Sequence, residues 1–338
     1  MRIKHTRSDG FEVEGWPVHV DAGRRQPLGI ITHAHTDHAA RHERIICTPE
    51  TAMLLSGRWK QLGVRAVPFG QSVHLEGARV TLLRAGHILG SAMVRIELAG
   101  HTIVFTGDMR TQPSAFLAGA EAVECDTLVM ESTFGRREYR FPELARVRQL
   151  ITGFVDAARS SSYTPVLTGY SLGKAQELVA LLGGYRELVW AHPKIAEYCN
   201  IYRRAGVALP EVEVPSAGAP AGALVVMPPD FGRTEWRERI VKPRVCFCSG
   251  WALGGPGGHY SCDQMIPLSD HSDCASLVAF AKATGASRVF TMHGFAAELA
   301  ELLCEEGMDA SPVPTHWQEV QSGQAIRFSA ESLDLFGS

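Results

Sequence analysis

Thr32-His33-Ala34-His35-Thr36-Asp37-His38 follows directly on the apolar run Leu28-Gly29-Ile30-Ile31 and crowds four cation-binding side chains into six residues. Histidine and aspartate are costly to bury unless each finds a partner. A cation offsets that cost, which a merely polar loop does not. His33 and His35 alternate, so on an extended turn both can point at one ion. Asp37 and His38 can then point at a second. Imidazole and carboxylate together suit zinc, manganese or iron better than calcium or magnesium.

Two ions need more ligands than this loop supplies. His87, in Ala85-Gly86-His87-Ile88-Leu89-Gly90-Ser91, stands among small residues that allow close backbone approach. Asp108 ends Phe105-Thr106-Gly107-Asp108 and is placed to bridge two ions. Alone, each reads as an ordinary loop residue; after the first motif, each reads as a ligand.

Outward from these segments, Val18–Asp21, Leu28–Thr32, Arg79–Leu83, Ser91–Leu98, His101–Thr106 and Thr127–Met130 read as short strands. Ala99-Gly100 reads as a hairpin turn. From about residue 135 helices and strands alternate. Helices are expected at Glu143–Ala158, Lys174–Leu182 and Ile195–Arg204, and strands at Pro165–Thr168, Leu188–Trp190, Ala223–Met227 and Val245–Cys248. That alternation implies a parallel α/β sheet. Pro215–Gly222 and Gly254–Gly258 read as Gly/Pro-rich connections.

A chain of 338 residues favours two domains, or one domain with a large insertion. Its N-terminus lacks a signal-peptide core and no apolar run is long enough to span a bilayer, so a cytoplasmic enzyme with no membrane partner is expected. A net charge of −3 excludes a generally basic coat, so any polyanion must be met by local clusters. Such clusters occur at Arg136, Arg137 and Arg140, and at Arg233, Arg237, Arg239, Lys242 and Arg244. Each serves equally as a solvated face or as a strand-tracking groove. Trp236 and Trp251 fit a core or lid role better than base stacking. Eight cysteines without a Cys-x-x-Cys pair read as reduced thiols, with Cys246 and Cys248 expected on opposite sides of a strand.

The His-x-His-x-Asp-His signature, His87 and Thr106-Gly107-Asp108 resemble the metallo-β-lactamase fold. Asp21 is similar to that superfamily's first-motif aspartate, which orients the site. Glu131-Ser132-Thr133-Phe134-Gly135, Ser269-Asp270-His271-Ser272-Asp273 and Thr291-Met292-His293-Gly294 resemble the motifs of its β-CASP nuclease branch. The short length and the segments from Ser171 to Leu178 and Ser249 to Gly258 resemble bacterial DNA-ligase-associated exonucleases. The resemblance implies an α/β architecture: a metallo-β-lactamase αβ/βα sandwich from residues 1–134 and 259–338, with an inserted α/β β-CASP domain from 135–258. It implies one divalent ion on His33, His35, His87 and bridging Asp108, and a second on Asp37, His38, Asp108 and His293. Zinc is expected first and manganese second.

The catalytic set implied is Asp37, His271 as general acid, Glu131 fixing its tautomer, and Asp21. The loop Thr168–Gln176 joins a strand to a helix N-terminus, which offers free N–H groups to an anion; Ser171 and Lys174 are expected to contact substrate phosphate. It lacks P-loop spacing. The reaction implied is phosphodiester hydrolysis, with DNA favoured over RNA, as an exonuclease in repair beside a DNA ligase and a helicase. RNA remains the alternative, because a histidine at His293 is typical of RNA-acting members. A thioesterase-like hydrolase would need neither the insertion nor the Glu131–His271 pair.

Overall fold

The computed structural model describes residues 2–60, 63–214, 216, 218–254, 262–316 and 318–319, and these form three sheets. The first runs, in spatial order, Gln318–Glu319, Arg2–Thr6, Gly10–Val13, His19–Val20, Leu28–Ile30, Arg44–Cys47 and Val64–Ala66. The second runs Ala310–Pro312, Arg288–Met292, Thr127–Glu131, His101–Phe105, Ala92–Leu98, Ala78–Arg84 and Ser72–Leu75. Each is antiparallel in one half and parallel in the other. The hairpin joining Ala92–Leu98 to His101–Phe105 turns at Ala99 and Gly100, with φ of 51° and 78°, as a primed turn requires.

Alternating apolar residues close these two sheets on each other. Ile3, Phe11, Val20 and Ile30 meet Val80, Val94, Ile103 and Phe105, and the Phe11 and Phe105 rings stack 5.2 Å apart. Each such side chain contributes about 1.5–3 kcal/mol when fully buried. Helices Cys274–Ala283 and Ala296–Glu305 cover the outer face of the second sheet through Leu277, Phe280, Leu299 and Leu303. Asp273 caps the former, accepting from Ser276 N at 2.9 Å. The result is the expected αβ/βα sandwich.

The inserted domain carries the third sheet, all parallel: Val212–Glu213, Val189–Ala191, Leu224–Met227, Thr164–Thr168, Pro243–Cys248 and Gln264–Ile266. Helix Leu144–Ser160 lies against it with Val147, Ile151, Phe154, Val155 and Ala158 buried, one stripe at helical spacing. The first four of these side chains share one apolar cluster with Ile31, Ile45, Leu54 and Leu55 on the outer face of the first sheet. The edge strand Gln264–Ile266, three residues long with Ile266 buried, pairs with Pro243–Cys248 and so joins the third sheet. One expectation is corrected. Cys246 and Cys248 share a face, with their sulfurs 3.9 Å apart, because side chains on a strand repeat every second residue. Gly255–Gly258 lies outside the described residues. Among the described residues no helix is long and apolar enough to cross a membrane.

Candidate metal centre

Strand register gathers the predicted residues at one edge. Val20 pairs with Ile30, which sets Asp21 beside Ile31 and Thr32. Phe105 pairs with Val129 and Glu131 with Met292, which brings Asp108, Glu131 and His293 to neighbouring strand ends. Asp21 and His293 have φ of 53° and 63°, uncommon for residues with a Cβ. Such strain is held only where surrounding structure enforces it.

Three imidazole nitrogens surround one carboxylate oxygen. Asp108 Oδ2 lies 3.6 Å from His33 Nε2, 3.5 Å from His38 Nε2 and 3.7 Å from His87 Nε2. These separations are long for hydrogen bonds. They fit ligands around an ion with bonds of about 2.0–2.1 Å at tetrahedral angles, roughly 3.4 Å apart. The other nitrogen of each ring is already engaged. His33 Nδ1 meets Thr32 Oγ1 at 3.0 Å, and that hydroxyl donates to Asp21 Oδ2 at 2.6 Å. His35 Nε2 donates to Leu172 O at 3.2 Å, His38 Nδ1 to Asp21 Oδ2 at 2.9 Å, and His87 Nδ1 to Asp270 O at 2.9 Å.

His33, His35 and His87 therefore each turn a lone pair toward the same space, and His38 turns its Nε2 there. His35 Nδ1 and His87 Nε2 face each other at 3.1 Å, and buried His33 Nε2 has no hydrogen-bond partner among the described residues. Lone pairs converging on an orphaned buried nitrogen fit a cation and little else.

Among the donor groups that the described residues form, two bear on the expected ions: His33, His35, His87 and Asp108, and His38, Asp108 and His293. Burial, then the charge of His38, holds His33 well below the ordinary imidazole range. Burial, then His271, lowers His87 to about 3. Against burial, His38 and His271 hold Asp108 well below the ordinary carboxylate range. Neutral His33 and His87 beside ionised Asp108 are in the protonation states that bind metal. His38 is the exception: Asp108, then Asp21, overcome burial and raise it to about 10, so an ion there must displace a proton.

Asp37, expected as a ligand, stands at the rim with its side chain 65% exposed and Oδ2 3.9 Å from His38 Nε2. It joins neither group of donors.

Glu131 is fully buried, and its two oxygens accept from His271 Nδ1 at 2.9 and 3.0 Å and from the N–H of Met109. Burial opposes protonation of His271, but the Glu131 charge and hydrogen bond, then Asp108 and Asp270, raise it to about 9. The His271 ring lies 4.5 Å from that of His87, so a proton carrier stands beside the candidate metal ligands.

Lys174, expected as a phosphate contact, lies in the interior. It is 2% exposed, and Nζ donates to Asp270 Oδ1 at 2.6 Å and Leu268 O at 3.0 Å, so its charge is neutralised inside the protein. Gly173, at φ 93°, begins the helix where a Cβ would lie 2.3 Å from Ile88. Ser171 is half-buried, and its carbonyl accepts from Gln176 Nε2 at 3.1 Å. Sequence reasoning overlooked Asp270, although it lies inside a quoted motif, and the buried pair Arg110–Glu177, for which no local signal exists. It also missed His5, whose ring packs 5.5 Å from His293 and which burial, then His293, lowers to about 3.

Several basic residues are paired at the surface: Arg136 and Arg137 with Glu298 and Glu305, and Arg239 with Glu235. Trp251 packs on Phe134 at 4.8 Å, and Arg239 covers Trp236.

No protein-family model matches the chain. It is 36% identical over 301 residues to a protein of Opitutus terrae named a probable DNA ligase, covering 88% of this chain and 29% of that one. It is 37% identical over 124 residues to cleavage and polyadenylation specificity factor subunit 3 of Dictyostelium discoideum, covering 36% of this chain and 16% of that one. With endoribonuclease YSH1 of Yarrowia lipolytica it shares 32% identity over 144 residues, 42% of this chain and 17% of that one. The chain thus spans under a third of these relatives' lengths. A crystal structure of a protein of unknown function from Enterococcus faecalis V583 has the same fold, with a TM-score of 0.58, 13% identity, and 85% and 79% of the two chains covered.

Proposed function

We propose that this chain, which has the metallo-β-lactamase fold with a β-CASP insertion, is a metal-dependent nuclease that hydrolyses DNA phosphodiesters from an end. The observation that carries the reading is the convergence of His33, His38 and His87 on Asp108 Oδ2 with the Glu131–His271 pair alongside. When bound, two divalent ions lower the pKa of a water and neutralise charge on phosphate oxygens. His33, His35, His87 and Asp108 would hold one ion, and His38, Asp108 and His293 the other, with Asp37 drawn in from the rim. The nitrogen and oxygen donors favour zinc first and manganese second.

Asp21 aims His38 and, through Thr32, His33. His271 keeps its proton at neutral pH and has Nε2 free of Glu131, so it can protonate the leaving oxygen. Glu131 fixes the ring and stabilises the imidazolium. Ser171, at the mouth of the inserted helix, is a candidate phosphate contact.

The long match to a protein named a DNA ligase supports DNA as substrate and a role in repair beside a ligase and a helicase. The shorter matches to a protein named an endoribonuclease favour RNA as the second reading. The test is digestion of end-labelled DNA and RNA, linear and circular, with zinc or manganese added and with chelator. Loss of terminal nucleotides from linear DNA, with circles intact, is expected. Preference for RNA would overturn the DNA assignment, cleavage of circles the exonuclease assignment, and full activity in chelator the metal assignment.

A further inference from the structure

One short segment of the inserted domain, Leu172 to Glu177, makes three separate ties to the candidate metal centre. Leu172 O accepts from His35 Nε2 at 3.2 Å. Lys174 Nζ donates to Asp270 Oδ1 at 2.6 Å, and the carbonyl of the same Asp270 accepts from His87 Nδ1 at 2.9 Å. Both oxygens of Glu177 accept from Arg110 Nη1, at 2.9 and 3.0 Å. Arg110 N in turn donates to Ala85 O at 2.8 Å, which joins the turns bearing Asp108 and His87.

Gln176 keeps the segment in shape: Oε1 accepts from Gly173 N at 2.7 Å and Nε2 donates to Ser171 O at 3.1 Å. Lys174, Gln176, Glu177, Arg110 and Asp270 are all buried.

The ties are unevenly placed. They reach His35 directly and His87 through Asp270, both in the first donor group and absent from the second, and they reach Asp108, which the two groups share, through Arg110. In the other group, His38 is held by Asp21, and the carbonyl of His293 accepts from Ser132 Oγ at 2.6 Å. Those supports belong to the two large sheets.

We infer that the Leu172–Glu177 segment positions His35 and His87, the ligands that the first ion does not share with the second, so that docking of the inserted domain and occupancy of that site form one linked equilibrium. Lys174 and Glu177 are positioning residues: they act through Asp270 and Arg110. Partners that orient metal ligands typically change affinity by about 10–100-fold. Linkage is reciprocal, so an ion on His33, His35, His87 and Asp108 must tighten the docking as much as the docked segment tightens the ion.

This inference rests on the metal-centre reading above, and the test separates the two. Zinc is titrated calorimetrically into the full-length protein and its Lys174→Met and Glu177→Gln variants. The parent is expected to bind two equivalents. Lys174→Met should keep one at parental affinity and bind the other about 10–100-fold more weakly, whereas Glu177→Gln, which acts on the shared Asp108, should weaken both. Cobalt(II) absorption, followed in parallel, should lose the bands of one site only in Lys174→Met. In the parent, hydrogen exchange at the amides of 172–177 should slow when zinc is added, a measurement that stands even where Lys174→Met does not fold. Variants that bind both equivalents as the parent does, or exchange unchanged by zinc, would overturn the linkage while leaving the metal centre intact. A parent that binds no zinc would overturn the metal-centre reading itself.

Discussion

Replacing Glu131 by glutamine should strip His271 of its proton near neutral pH. The carboxylate is fully buried and holds the imidazole through Nδ1 at 2.9 and 3.0 Å, and its charge is the leading cause raising His271 to about 9. Burial acts in the opposite direction. Without Glu131, His271 is expected to fall to its ordinary value of 6.5 or lower, a difference of about 2.5 (9 − 6.5). At about 1.4 kcal/mol per unit of pKa this is on the order of 3 kcal/mol, and at pH 7.5 the protonated fraction drops from about 97% to about 9%. Single-turnover cleavage at pH 7.5 should therefore slow at least tenfold, and the gap between parent and variant should widen with pH up to about 9.

The fold favours the imidazolium, so the pair stabilises the native state fully below about pH 6.5 and loses that contribution as pH rises through about 9. NMR titration of the His271 ring in metal-free protein measures the midpoint directly. A midpoint still near 9 in Glu131→Gln would refute the reasoning, because the proton would then be held by Asp108 and Asp270.

Asp108→Ala and His33→Ala should abolish cleavage while keeping the circular dichroism of the parent; full activity in either would end the metal assignment. Zinc at a hundredfold excess over its dissociation constant should stabilise the parent by about 2.7 kcal/mol, seen as a raised melting temperature that chelator reverses. Gly86→Ala places a Cβ 2.3 Å from Arg110 O at φ 74°, so a loss of about 1–3 kcal/mol in denaturant unfolding is expected, with weaker zinc binding through displaced His87. Tyr202→Phe removes the hydroxyl that accepts from Leu89 N at 3.2 Å and leaves a buried N–H unpaired, which should cost about 1–3 kcal/mol in the same assay.

What could be read from sequence was what is local. His33, His35 and His38 lie on one strand-end turn, where the spacing alone indicates shared direction. His87, Asp108 and His293 became legible by their place after apolar runs and by family motifs. Lys174 shows where such reading stops. Beside a helix start it looked like an anion contact, but its partner Asp270 lies 96 residues away and draws the ammonium inward. Asp37 is the converse case, a motif residue whose side chain remains at the surface. Helix Leu144–Ser160 declared itself by periodicity, whereas the three residues Gln264–Ile266 offered too few positions for any period to show.

Pairing Thr127–Glu131 with Arg288–Met292 joins segments separated by the whole insertion. Such pairings form slowly, because a long loop must close before any contact rewards it. During synthesis the chain presents His33, His35, His87 and Asp108 long before His271 and His293 exist. A nascent chain therefore acquires the candidate metal ligands well before the histidine proposed as the acid beside them. On the function proposed above, the order of the polypeptide would place the power to bind metal ahead of the power to cut.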